Sequence, residues 1–436
     1  MSNGARVVRP DRAQMRWDFI DLDGLLPIDH RARIVWAFVE SLDLSQLYDA
    51  IKSREGDAGR PAADPSVLMA LWLYATVEGV GSARELERLV ERDVAYRWLA
   101  GGVPVNHHGL SDFRVEHVEV LDRLLSESVT ALIGEGLVSL AEIAVDGTKV
   151  RASASRKSFK GAARLAQLET AVEARIAALK AEVERDPEAS SRRKRVAQER
   201  AARDVQERAA KARAALDRLR AERESRQKKH SRDTAKKAEP RVSLSDPEAR
   251  KMSFADGAVR PAYNAQIAAA PRQGIIVSVE MTDRRNDAGL AVPMVDDIVR
   301  RYGRSPETLL VDTHYATRDD IAALAVHAAG PVKVFAPAPK ERDDVVPVTL
   351  VWRARKRKRE PASVREWRDR MASELGQKVY KTRKLIERIN ADRKNHGFGV
   401  LHVRGRLKAK AVALWHALAN NLMAAHRLRR ASACAA

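Results

Sequence analysis

A chain of 436 residues with a formal charge of +20 and a pI near 10.2 can bury a sizeable core in more than one domain, and its charge nominates a polyanion as partner. Its single cysteine, Cys434, excludes disulfides, zinc ribbons and cysteine nucleophiles within one chain. No stretch reaches the roughly 18 apolar residues of a membrane span, and the basic N-terminus lacks the apolar core of a signal peptide, so the expectation is a soluble, intracellular protein with no membrane partner.

Residues 1–138 read as helical. Asp64 followed by Pro65 opens a helix, because proline at the first helical position loses no needed N–H, and Leu68, Leu71, Trp72 and Ala75 form its apolar face. Gly79-Val80-Gly81 breaks it, and Ser82 with Glu85 restarts a helix through a capping box. A second break at Gly101-Gly102-Val103-Pro104 precedes a helical run to Ile133. Short helices joined by tight glycine turns fit a helix-turn-helix DNA reader or an ordinary bundle equally well. His107 and His108 are adjacent and so point apart, a poor metal pair. Trp36, Trp72, Trp98 and Trp415 lie in apolar patterns and are expected in the core.

At residue 142 the periodicity changes. "EIAVDGTKVRA" alternates like a strand with Asp146 in its middle. An insertion over 156–245 follows, with Leu165, Leu168, Val172, Ile176, Leu179 and Val183 at heptad-like spacing, an interruption at Pro187, and Val205, Ala209, Ala212, Leu216 and Leu219 resuming it. This predicts a helical hairpin whose basic second arm is a solvated self-packing or dimerising element, or a DNA-phosphate contact. "YNAQIAAA" and "GIIVSVEMT" then read as an antiparallel pair turning at 271–274. A helix from about Val292 to Tyr302, stopped by Gly303, leads to the short strand "TLLVDTHY" with Asp312 at its C-terminal end. Thr317 to Asp320 opens another helix, and "VKVFAP" is a last strand. The order predicts an α/β fold: a mixed sheet flanked by helices. The "RARKRKRE" run at 353–360 reads as a solvated charged loop or a backbone-phosphate contact, with Trp352 and Trp367 beside it packing or stacking on an unpaired base.

In "YKTRKLIERINADRKNHG", residues 380–397, Tyr380, Arg383, Glu387 and Lys394 fall within an arc of roughly 60° on an α-helix. Leu385, Ile386 and Ile389 lie opposite, and Asn395-His396-Gly397 supplies a stop. A carboxylate among cations suits a site that holds both a metal ion and phosphates; the plain alternative is a solvated face with i,i+4 ion pairs.

Burying a carboxylate in mid-strand costs several kcal/mol unless it is paired or bound to a cation, which singles out Asp146. Asp312 ends an interior strand, where α/β sheets place their sites. Taken alone, Asp146 has Lys149 or Arg151 as ordinary ion-pair partners; in a DNA-handling protein those two cations are also candidates for backbone phosphates. Asp146, Asp312 and Glu387 together form an oxygen-only set suited to two Mg²⁺ or Mn²⁺ ions and to phosphodiester chemistry.

With these motifs in hand, the chain resembles bacterial insertion-sequence transposases of the DDE class that carry a Tyr-x2-Arg-x3-Glu-x6-Lys signature, here Tyr380, Arg383, Glu387 and Lys394. "AVDGTKVRASAS", "DPEARKM", "YNAQIA", "NDAGLAVPM", "VDTHYAT" and "VRGRLKAKAVALWHALANNL" extend the likeness over most of the chain; His314 is a departure where many relatives have glycine. The resemblance implies an RNase H-like catalytic domain over 139–155 and 246–430, interrupted by the helical insertion at 156–245, with an end-binding domain over 1–138 and a tail at 431–436. It further implies that Asp146, Asp312 and Glu387 bind two divalent ions while Tyr380, Arg383 and Lys394 hold phosphates at the transposon end. Double-stranded DNA, both transposon ends and target, is then the partner of a homodimer acting in the bacterial cytoplasm at the nucleoid. The activity implied is cleavage at terminal inverted repeats and joining of 3′-hydroxyl ends to target DNA. The alternatives are a non-catalytic DNA-binding protein derived from a transposase and a two-metal nuclease without transfer activity.

Overall fold

The computed structural model describes residues 21–51, 53, 61–185, 192–229, 239–338 and 360–435, so Trp352 and the basic run up to 359 lie outside the described residues. The N-terminal region is helical: α1 Arg31–Glu40, α2 Ser45–Asp49, α3 Pro65–Val77, α4 Ala83–Arg92, α5 Val94–Ala100, α6 His107–Glu116 and α7 Val118–Gly134. Asp64 caps α3 by accepting from the Ser66 N–H, with Pro65 in the first turn. α3 is not amphipathic as the four-residue stripe suggested. Met69 to Val77 are buried without a break, because α3 runs through the middle of the bundle, and a helix surrounded on all sides is apolar all round. Only half of the expected capping box forms: Ser82 Oγ accepts from the Glu85 N–H, while the Glu85 carboxylate pairs with Arg88. Trp72 and Trp415 are core residues that hydrogen-bond Leu110 and Arg114 carbonyls, whereas Trp36 and Trp98 are only partly buried and meet edge to face.

The sheet comprises β1 Glu142–Arg151, β4 Arg250–Ser253, β5 Val259–Ala270, β6 Ile275–Thr282, β7 Thr308–Leu310 and β8 Lys333–Phe335. β5 is its organising strand. Its full length is antiparallel to other strands: β1 lies on one side, and β4 and β6 share the other. Beyond β1 the direction changes, since β7 is parallel to β1 and β8 is parallel to β7. The antiparallel pair β5–β6 turns at Gly274, whose φ of +71° favours glycine. α10 Ala291–Tyr302 ends at Gly303 in the same left-handed conformation, and α11 Arg318–Ala325 starts with a complete Thr317–Asp320 capping box.

The insertion closes at its neck through β2 Phe159–Lys160, paired with β3 Val242–Ser243. From it rise α8 Ala162–Arg185 and α9 Arg192–Lys229. Leu165, Leu179, Ala209, Ala212 and Leu216 are buried within this single chain, so the heptad-like stripe serves the packing of one arm on the other. Downstream come α12 Ala362–Ala372, α13 Glu374–Tyr380, α14 Lys384–Arg393 and the long α15 Arg406–Ala435. Trp367 is buried and donates to the Ala336 carbonyl, which excludes it from base stacking. α15 packs on α3, α6, α7 and β6, so one continuous core joins the N-terminal helices to the sheet.

Candidate active site

The stretch 380–397 is not one regular α-helix. α13 ends at Tyr380, a 3-10 turn spans Lys381–Arg383, and α14 carries Glu387 and Asn390 before a π-turn begins at Lys394. Backbone angles stay right-handed helical from Tyr380 through Lys394, so the path bends without breaking. Gly397 ends it with φ of +92°, and a Cβ there would press on the Gly79 carbonyl oxygen at 3.2 Å. The glycine break after α3 is therefore the seat for the end of this helix.

β1 and β7 are parallel neighbours registered as Ile143 with Leu309 and Ala144 with Leu310. Two residues beyond that last pair stand Asp146 and Asp312, at the same level at the C-terminal end of the strand pair. The Asp312 carboxylate accepts from the His314 N–H at 2.9 Å, which turns the chain out of the sheet. On the other flank, Arg383 Nη2 donates to Asp146 Oδ1 at 2.9 Å and its Nη1 to Glu387 Oε1, so one guanidinium bridges two carboxylates. Asn390 Nδ2 donates to the second Asp146 oxygen, also at 2.9 Å.

The electrostatics tie the remaining groups to this point. Burial raises the Asp146 pKa against the pull of Arg383 and Asn390, and the nearby charges of Asp312 and Asp287 raise it further. Burial also raises the Tyr380 hydroxyl, which feels Arg383, Asp312 and Glu387. Partial desolvation lowers the pKa of Lys394, whose side chain is exposed, with Asp146 pulling the other way. Arg383 thus bonds Asp146, Glu387 is linked to it through that guanidinium, and Tyr380 and Lys394 lie within electrostatic reach of the strand aspartates Asp312 and Asp146. Lys149 and Arg151 do not join this set: Lys149 Nζ donates to the Ser253 carbonyl of β4 at 2.7 Å, and Arg151 is exposed at the strand end, where its main chain bonds Gly399 and Leu401. Neither pairs with Asp146 among the described residues.

Two contributors escaped the sequence reading. Asn390 lies seven positions after Arg383, hence on the same helix face, a spacing that could have flagged it. Asp287 lies against Gly147, where a Cβ would come within 2.1 Å of its Oδ1. That oxygen accepts from Asn264 and Gln266 of β5, and the fully buried Tyr315 hydroxyl donates to Gln266. Its sequence signals are the glycine immediately after Asp146 and its own place in the "NDAGLAVPM" motif.

Among the described residues no three acidic, histidine or cysteine side chains are gathered tightly enough to hold a metal ion as they stand. The donor chemistry nonetheless fits a hard divalent cation. All three candidate ligands are carboxylates, and the Arg383 guanidinium already puts positive charge between Asp146 and Glu387. Asn390 Oδ1, buried beside Asp146, has no hydrogen-bond partner among the described residues.

The family model described as Transposase DDE domain matches residues 226–424, and the one described as Transposase domain (DUF772) matches residues 20–116. The two matches support a DDE-type transposase. The first spans Asp312 and the whole Tyr380–Lys394 face, and the second spans the helices from before α1 to the end of α6. No curated protein and no solved structure gave a match. Among the described residues no helix is long and apolar enough to cross a membrane.

Proposed function

We propose that the protein cleaves phosphodiester bonds at transposon ends and joins the freed 3′-hydroxyls to target DNA, with Asp146, Asp312 and Glu387 as the residues that hold two Mg²⁺ or Mn²⁺ ions. The observation that carries this is the parallel β1–β7 register, which sets Asp146 beside Asp312, with Glu387 linked to Asp146 through Arg383. The strand order, three antiparallel strands followed by two parallel ones, supports an RNase H-like reading of the sheet. When bound, such ions supply stabilisation of the attacking and leaving oxygens in an in-line phosphoryl displacement.

The chain's own residues do the rest. Asp146, disfavoured as an anion by burial and by two neighbouring carboxylates, gains from any cation brought beside it. Asn390 fixes the carboxylate plane through one oxygen, while its own buried Oδ1 has no hydrogen-bond partner among the described residues. Arg383 neutralises Asp146 and Glu387 in the absence of other cations; once released it presents a forked donor suited to a phosphate. The exposed Lys394 and the partly buried Tyr380 complete a phosphate-holding face for the transposon end. Two ends to be joined imply two protomers in the DNA complex, and the N-terminal helices are the candidate readers of the inverted repeats.

A non-catalytic DNA-binding protein is the second reading, favoured only by the absence of a ready-made three-acid cluster among the described residues. Purified protein, DNA carrying the element's ends and Mg²⁺ separate the two. Wild type is expected to nick the ends and form joined products, while Asp146→Asn, Asp312→Asn and Glu387→Gln each abolish cleavage and keep DNA binding. Full cleavage by any of the three removes that residue from the site. Binding without cleavage by wild type leaves the non-catalytic reading.

A further inference from the structure

At the neck of the insertion, between the bases of α8 and α9 and the sheet edge formed by β4 and the loop after β6, lies an open cleft of about 1430 Å³. That exceeds the roughly 300–1,000 Å³ of small-molecule pockets. Its charge is lopsided. Lys160, Arg164 and Arg241 come from the insertion, and Lys251 and Arg284 from the sheet side. The acids of the cleft are already engaged: Asp283 with Arg250 and Arg218, Glu239 with Arg220, and Glu222 with Arg218 and Arg250. By contrast, none of the five cations just named pairs with a carboxylate among the described residues. Positive groups held on two opposed walls repel one another; burial together with Arg241, Arg156 and Arg285 lowers the Lys251 pKa. An arrangement of this kind is stabilised by a polyanion entering between the walls.

The cleft also has an address. Asn286 and Ala288 line it, and Asp287 between them is the carboxylate that touches Gly147 next to Asp146. It therefore approaches the acids from the β5 side, whereas the Tyr380–Lys394 face approaches from α14. Joining two DNA segments at one set of acids needs two separate phosphate-holding surfaces. We propose that the cleft at the neck of the insertion seats the sugar-phosphate backbone of target DNA, opposite the α14 face that holds the transposon end. This rests on the transposase reading above. The helical insertion then forms one jaw of a clamp whose other jaw is the sheet edge.

The test uses the full chain with Arg164→Ala, Arg241→Ala and Arg284→Ala combined, all exposed side chains, and the matching triple Arg→Lys variant. The first probe is a labelled duplex lacking any transposon end, titrated at several salt concentrations. Loss of three phosphate contacts makes the slope of log affinity against log salt shallower by about 2.7, at about 0.9 per contact, and the lysine variant restores it. The second probe supplies end-containing DNA, target plasmid and Mg²⁺. The ratio of joined to cleaved product is expected to fall about tenfold in the alanine variant at moderate salt. An unchanged slope overturns the proposal, as does an equal fall of cleavage and joining, which moves the transposon end into the cleft. Should wild type bind DNA but cut nothing, the transposase reading fails by itself, and the salt slope still decides whether the cleft holds DNA.

Discussion

Arg383 and Asp146, 237 positions apart in the chain, meet at 2.9 Å with both side chains largely shielded from solvent, while the same guanidinium reaches the far more exposed Glu387. Removing the cation strands a carboxylate that burial, Asp312 and Asp287 already disfavour as an anion. Arg383→Ala is expected to destabilise the fold by about 1–3 kcal/mol and to weaken DNA binding. Arg383→Lys should recover little of either, because an ammonium cannot fork between two carboxylates. Denaturant midpoints and end-DNA titrations of both variants check this; a lysine variant equal to wild type refutes the bridging role.

Asn390 holds the other Asp146 oxygen. Its replacement by alanine should leave binding of end DNA near wild type and lower the cleavage rate about 10- to 100-fold, the usual cost of losing a group that orients a ligand carboxylate. Asn390→Asp, which adds a like charge beside Asp146, should be worse. Single-turnover cleavage at saturating DNA separates the rate from the affinity.

Gly147 is a glycine for steric reasons. A Cβ there would stand 2.1 Å from Asp287 Oδ1, an oxygen fixed by Asn264 and Gln266. Gly147→Ala is expected to cost about 1–3 kcal/mol. The double substitution Gly147→Ala with Asp287→Ala should be less damaging than the two single losses summed, because the clash disappears with the carboxylate. Urea denaturation of the four proteins in the cycle supplies the coupling.

The N-terminal helices are tied to the sheet region by Arg301, whose fully buried side chain reaches Asp122 of α7 and Asp297 of α10, each at 2.6 Å. Arg301→Ala takes the buried cation from two partly buried carboxylates, leaves them only the more exposed Arg300 in common, and should cost about 3 kcal/mol. Burial pushes the Asp297 pKa up, but Arg301, Ser278 and Arg300 prevail and hold it below the 3.8 of a free carboxyl. A depressed folded pKa contributes stability that is present above 3.8 and lost as pH falls through the lower folded value. Wild type should therefore lose this contribution in the acid range below 3.8, and Asp297→Asn should flatten that part of the stability profile. Melting temperature against pH for the two proteins tests the sign.

What the sequence determined by itself was local. Proline and glycine positions, the Thr317 cap and the alternation around Asp146 define elements because each follows from a residue's own backbone preferences or from a short-range period. The offsets of Tyr380, Arg383, Glu387 and Lys394 predicted a shared face for the same reason, and the backbone stays right-handed helical across the 3-10 turn between them. The tertiary structure alone decided which strands became neighbours, and only that register sets Asp146 level with Asp312. It also turned Lys149 toward β4, recruited Asp287 and Asn390, and surrounded α3 so completely that its expected stripe vanished. Strand pairing and helix burial depend on groups hundreds of positions away, and no period within a short window carries that information.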